Sequence, residues 1–145
     1  MSIVRATPII PLAPAGSGTP EGYVPGVCNI GAWEIRRRRA FAVVGFVAAL
    51  ALFALLVAVG APAWSRLLVF VPLAGGVFSW LQARRRFCAG FAVAGVFNFA
   101  DGDQGRQSVE SADARRADLA AVRRMTRDAV LIALPIAIVA ALLPI

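Results

Sequence analysis

Residues Ala40 to Gly60 read AFAVVGFVAALALFALLVAVG, 21 residues without a charged or hydrogen-bonding side chain. As a helix rising ~1.5 Å per residue, the run is roughly 31 Å long, about the thickness of a bilayer's hydrocarbon core. Four arginines, Arg36, Arg37, Arg38 and Arg39, stand immediately before it. The stretch predicts a first transmembrane helix over 40–60, and the rest of the chain is read outward from it.

Downstream, Ala61 to Arg66 (APAWSR) predicts an external turn, broken by Pro62 and anchored at the interface by Trp64. Leu67 to Ala83 (LLVFVPLAGGVFSWLQA) predicts the second span, kinked at Pro72, with Gly75 and Gly76 as a smooth patch for helix packing. Arg84, Arg85 and Arg86 close it. The segment 84–106 is then expected at the membrane interface. Within Phe87 to Ala100 (FCAGFAVAGVFNFA), apolar residues alternate with period two, which predicts extended structure. GVCNIG at 26–31 and GVFNFA at 95–100 share Gly, Val and Asn in register, so a two-stranded ribbon between them is one reading.

Asp101 to Gly105 (DGDQG) starts like a calcium loop, but Gly105 and Ala112 occupy ligand places, so a polar turn is expected. Residues 107–128 predict a charged amphipathic helix capped by Ser108 or Ser111. Asp113–Arg116, Arg115–Asp118 and Arg124–Asp128 are spaced for surface pairs. The helix leads, with no breaker between them, into a third span over 129–145 with Pro135 as an internal kink.

Upstream, 22–39 mixes aromatic and turn residues and predicts an ordered juxtamembrane segment, with a short helix from near Ala32 running through the arginines into the first span and Trp33 at head-group level. Met1 to Glu21 holds Pro8, Pro11, Pro14 and Pro20 and predicts a flexible tail; its apolar residues are too interrupted for a signal peptide.

Composition agrees. The chain of 145 residues is 59% hydrophobic, with a mean hydropathy of +0.74. Its 15 basic residues are all arginine, its net charge is +7, and it has no histidine. Without histidine it lacks the commonest general base, metal ligand and haem ligand. The arginines flank apolar runs, which favours anionic lipid over nucleic acid as their partner. The excess of arginine at 36–39 and 84–127 orients the spans with the N-terminus inside and Ile145 outside.

The expected fold is therefore an all-α membrane protein of three spans, N-in and C-out. A small cytoplasmic interfacial cap and a charged helix complete it. The apolar runs contain no ionisable group, which argues against an autonomous transporter. Chemistry, if present, would gather at the inner face around Cys28, Asn29, Glu34, Cys88 and Asn98. The two cysteines read as small packing residues, as a reactive thiol beside arginines, or as two thiolates of a metal site completed by another chain. No catalytic residue and no cofactor is assigned.

C-N-I-G-x-x-E-I-R-R-R at Cys28 to Arg38, a helical hairpin, and R-F-C-x-G-F at Arg86 to Phe91 resemble a family of small uncharacterised bacterial integral membrane proteins. The resemblance implies that Cys28 and Cys88 belong to one motif and carries over no catalytic residue. Three functions follow as expectations. The first is a structural or accessory membrane component, as a homo-oligomer or in a larger complex of the bacterial inner membrane. The others are a thiol or metal sensor using Cys28 and Cys88, and an anionic-lipid binder using Arg36 to Arg39 and Arg84 to Arg86.

Overall fold

The computed structural model describes residues 22–145; the tail expected over 1–21 lies outside them. Helix α1 (Ala32–Ala58) is followed by a 3₁₀ stretch (Ala63–Val69) that runs into α2 (Phe70–Arg84). A short α3 (Ala89–Ala94), strand β1 (Val96–Asn98), strand β2 (Arg106–Ser108) and a long α4 (Ala112–Leu142) complete the chain. Three stretches, Ala32–Ala58, Ala63–Arg84 and Ala112–Leu142, are long and apolar enough to cross a membrane.

The boundaries differ from the hydropathy reading for local reasons. Helix α1 starts at Ala32, where a helix through the arginines into the first span is expected, with Glu34 in its first turn and arginine a good helix former. It ends in a Schellman motif, with Gly60 at φ +65° and bonds from Gly60 N to Val57 O and from Ala61 N to Leu56 O. The expected turn at 61–66 and the start of the second span merge into the 3₁₀ stretch. Pro72 then falls in the first turn of α2, directly after the 3₁₀ stretch. The expected helix over 107–128 and the span after it form one helix, which begins only at Ala112. Ser111 caps it, accepting from Ala114 N at 3.3 Å, and residues 107–108 belong to β2. The helix passes Pro135 without ending.

Helix α2 lies between α1 and α4. It approaches α1 most closely at two glycines: a Cβ on Gly45 would stand 2.6 Å from Gly76 Cα. Ala42 and Ala49 are buried on the same face of α1. On α4 the buried residues Ala129, Ala133 and Ala137 recur every fourth position. Large side chains such as Val43, Val47 and Leu50, or Leu131 and Ile136, point outward. Small residues inside and large apolar ones outside is the pattern of helices packed in lipid. Of the expected glycine pair, Gly76 packs within the chain, whereas Gly75 has nothing within 4 Å.

The large buried side chains gather elsewhere. Phe87, Ile30, Met125, Glu34, Asn29, Asn98, Asp118 and Cys88 are all fully buried in a polar cap at one end of the helices. The period-two reading of 87–100 fails over 89–94. Cys88 caps α3, and Gly95, left-handed at φ +69°, terminates it before β1. The partner of β1 is β2, in antiparallel register with Val96 opposite Ser108 and Asn98 opposite Arg106. The 26–31 segment does reach β1, but through a single parallel bridge, Ile30–Asn98.

Candidate functional site in the polar cap

The cap joins a strap over Gly22 to Gly31, the first turns of α1, the α2–α3 connection, the β1–β2 hairpin and the first turns of α4. The strap folds on itself through paired bonds between Val24 and Cys28, both 2.9 Å. Its tip is Gly26, at φ +70°, where a Cβ would meet Ala117 O at 3.0 Å. That close approach lets Gly26 N donate to Asp118 Oδ1 at 2.7 Å. Tyr23 Oη donates to Asp118 Oδ2 at 2.8 Å while its ring stacks on Phe97 at 4.7 Å. Burial, the bond to Asp118 and that carboxylate's charge together push the Tyr23 phenol well above its ordinary value.

The strap continues into Asn29, whose side chain is wholly buried. Its amide donates to Cys88 O at 3.0 Å, and Cys88 N donates back to its Oδ1 at 2.6 Å. Asn29 N donates to Arg86 O at 3.1 Å. Arg86 lies at φ +50°, in the left-handed region, because it ends α2 in a Schellman motif closed by the bond from Phe87 N to Gln82 O. The Gln82 side chain accepts from Ala89 N at 2.9 Å and so ties α2 to α3. Asn98 closes the 98–102 turn through Gly102 O at 2.7 Å and Ala100 N at 3.0 Å.

Cys88 Sγ accepts from Arg38 Nη2 at 3.0 Å and from Phe91 N at 3.5 Å. Arg38 in turn lies 3.5 Å from Glu34, one helical turn earlier, and Arg37 lies 3.8 Å from it. Glu34 is only 1% exposed, and neither of its oxygens has a hydrogen-bond partner. Thiol, guanidinium and carboxylate thus form a short buried row across α1 and the start of α3.

The expected residues are placed unequally. Cys28 and Cys88 are both free thiols, Cys28 half-buried and Cys88 fully buried. They share the cap through Asn29, yet no hydrogen bond joins the two sulfurs. Among the described residues no group of three or more His, Cys, Asp and Glu side chains could hold a metal ion. Arg36 and Arg39 are exposed, Arg84 lies 5.2 Å over the Trp80 ring, and Arg85 binds Asp128 at 2.7 Å. The pair Asp113–Arg116 forms at 3.3 Å. The other two expected pairs do not: Asp118 holds the strap, and Asp128 takes Arg85 and Arg127. Asp118 shares a helix face with Ala114, Ala121 and Met125, which was the available signal that it is buried.

At the other end of the helices, buried Arg66 donates to Leu143 O at 2.8 Å and to Ile145 O, closing the last turn of α4. No family model, no curated protein and no solved structure matches the chain.

Proposed function

We propose that the protein is a multi-pass protein of the bacterial cytoplasmic membrane, N-terminus inside and Ile145 outside. It acts there as a non-catalytic structural or accessory component, as a homo-oligomer or within a larger complex. One observation carries this reading: the buried polar side chains, Glu34 apart, bind backbone groups and so hold the chain together. Asn29, Gln82, Asn98 and Asp118 bind backbone groups in the cap, and Arg66 binds backbone carbonyls at the far end. The orientation rests on the arginines, since Arg36 to Arg39 and Arg84 to Arg86 flank the cap while the opposite end carries Arg66. The reciprocal bonds between Asn29 and Cys88 join the segments Cys28 to Arg38 and Arg86 to Phe91, which also suits a holding role. For a thiol function, the supporting contact is Arg38 on Cys88 Sγ; the burial of that sulfur weighs against it.

Two measurements test the proposal. Ala61→Cys and Gln104→Cys, in a Cys28→Ala/Cys88→Ala background, should react with an impermeant maleimide from opposite sides of membrane vesicles. Labelling from the same side overturns the topology. Purified in mild detergent, the full chain should run as an oligomer or a stoichiometric complex, and a strict monomer with no partner overturns the accessory role.

A further inference from the structure

A cleft of about 380 Å³ opens where α2 and α4 leave the cap for their apolar runs. Its floor is Phe87 and Met125, and Val27 of the strap forms one wall. Arg85, Arg124 and Asp128 stand at its rim. Arg85 follows the last residue of α2, and Asp128 directly precedes the apolar run that starts at Ala129, so the cleft sits at the polar–apolar boundary of both helices.

We infer that this cleft binds the head group of an anionic phospholipid from the surrounding bilayer. Three observations point to that ligand. The single carboxylate, Asp128, is already taken by Arg85 at 2.7 Å and Arg127 at 3.0 Å, so its charge is met. Arg124 is exposed and has no ion pair or side-chain hydrogen bond among the described residues. Guanidinium groups therefore outnumber carboxylates around a mostly apolar hollow, which complements an anionic phosphate joined to a glycerol and acyl chains. Val27 is 61% exposed beside the hollow, which suits a wall that meets lipid and not water. A free phosphate would use the arginines but leave the exposed apolar wall at Val27 uncovered.

The full chain in detergent micelles is titrated with short-chain phosphatidylglycerol, phosphatidylcholine and soluble glycerol phosphate, and retained ligand is read by native mass spectrometry. Phosphatidylglycerol should be retained well above the other two. Arg124→Glu should weaken its retention by at least about fivefold, as expected for losing one basic contact at an anionic surface. Arg123→Glu makes the same charge change on an adjacent residue outside the cleft and should leave retention within about twofold. Equal losses for the two variants would show a diffuse arginine belt and overturn the site. Unchanged retention in Arg124→Glu, equal binding of phosphatidylcholine, or equal binding of glycerol phosphate would each overturn it as well. A monomeric protein that passes these tests would keep the lipid site while losing the accessory-subunit reading, so the two proposals fail separately.

Discussion

Asn29 and Cys88 are bound to each other twice, side-chain amide to backbone carbonyl at 3.0 Å and backbone N–H to amide oxygen at 2.6 Å. The pairing reproduces with one side chain what two strands achieve with two backbones. Asn29→Ala would leave the buried Cys88 N–H without a partner, while the Cys88 carbonyl keeps the bond from Ala92 N at 3.1 Å. A loss of about 1–3 kcal/mol is expected, the usual cost of one orphaned buried group. Thermal unfolding in detergent reads it.

The two thiols should separate kinetically. Cys28 is half-buried and should alkylate in the folded protein, while fully buried Cys88 waits for the cap to open. Cys88 is expected to react at least about tenfold more slowly until denaturant is added. Mass spectrometry of the alkylated chain decides, and equal rates would show that the cap opens freely.

The glycines of α1 and α2 should not be equivalent. Gly45→Ala pushes a methyl group onto Gly76, at 2.6 Å from its Cα, and the helices must part. A cost of about 1–3 kcal/mol is expected, as for overpacked cores. Gly75→Ala meets open space and should be neutral, or stabilising by up to ~1 kcal/mol through helix propensity. Melting temperatures of the two variants test the contrast.

Alkaline pH should loosen the strap. The Tyr23 phenol is raised above its ordinary 10.0, so its neutral form is favoured in the folded chain. A raised group contributes stability that is complete below the unfolded value and is lost as pH rises from there toward the folded one. Stability should therefore fall above about pH 10, and Tyr23→Phe should lose that part of the slope. The variant should also cost about 1.5–3 kcal/mol at neutral pH, for one hydrogen bond to a charged acceptor.

Arg86 occupies a backbone position that suits glycine, at φ +50°. Arg86→Gly should leave the Schellman motif intact and raise stability by ~1 kcal/mol, the usual cost of a left-handed non-glycine residue. A destabilised variant would show instead that the Arg86 side chain holds the cap.

The three long helices were legible because a run such as Ala40 to Gly60 leaves the backbone only one way to satisfy itself in lipid. The cap was less so. Phe91, Val93 and Gly95 alternate like a strand, yet Cys88 and Gly95 supply start and stop signals for one helical turn and a half, and local capping prevails over the weak period. The i,i+3 spacing permits Asp118 to pair with Arg115. In the fold the backbone N–H of Gly26, 92 positions away, competes for the same oxygens. Such a partner leaves no trace in local spacing. The Asn29–Cys88 pair spans 59 positions and is hidden in the same way, although the two motifs that hold it could be seen.

Helix α4 carries a mechanical consequence. It is a single element of 31 residues, a rod of roughly 46 Å that runs from the strap-binding face through the apolar run without a break between them. With its apolar half in a bilayer, it has no hinge at the surface. A change in bilayer thickness that tilts the span by ~10° would swing the Ala112 end, some 25 Å beyond the boundary, through about 4 Å. Tyr23 and Gly26 grip that lever at Asp118, so a tilt of α4 relative to α1 would be carried to the strap that leads into α1.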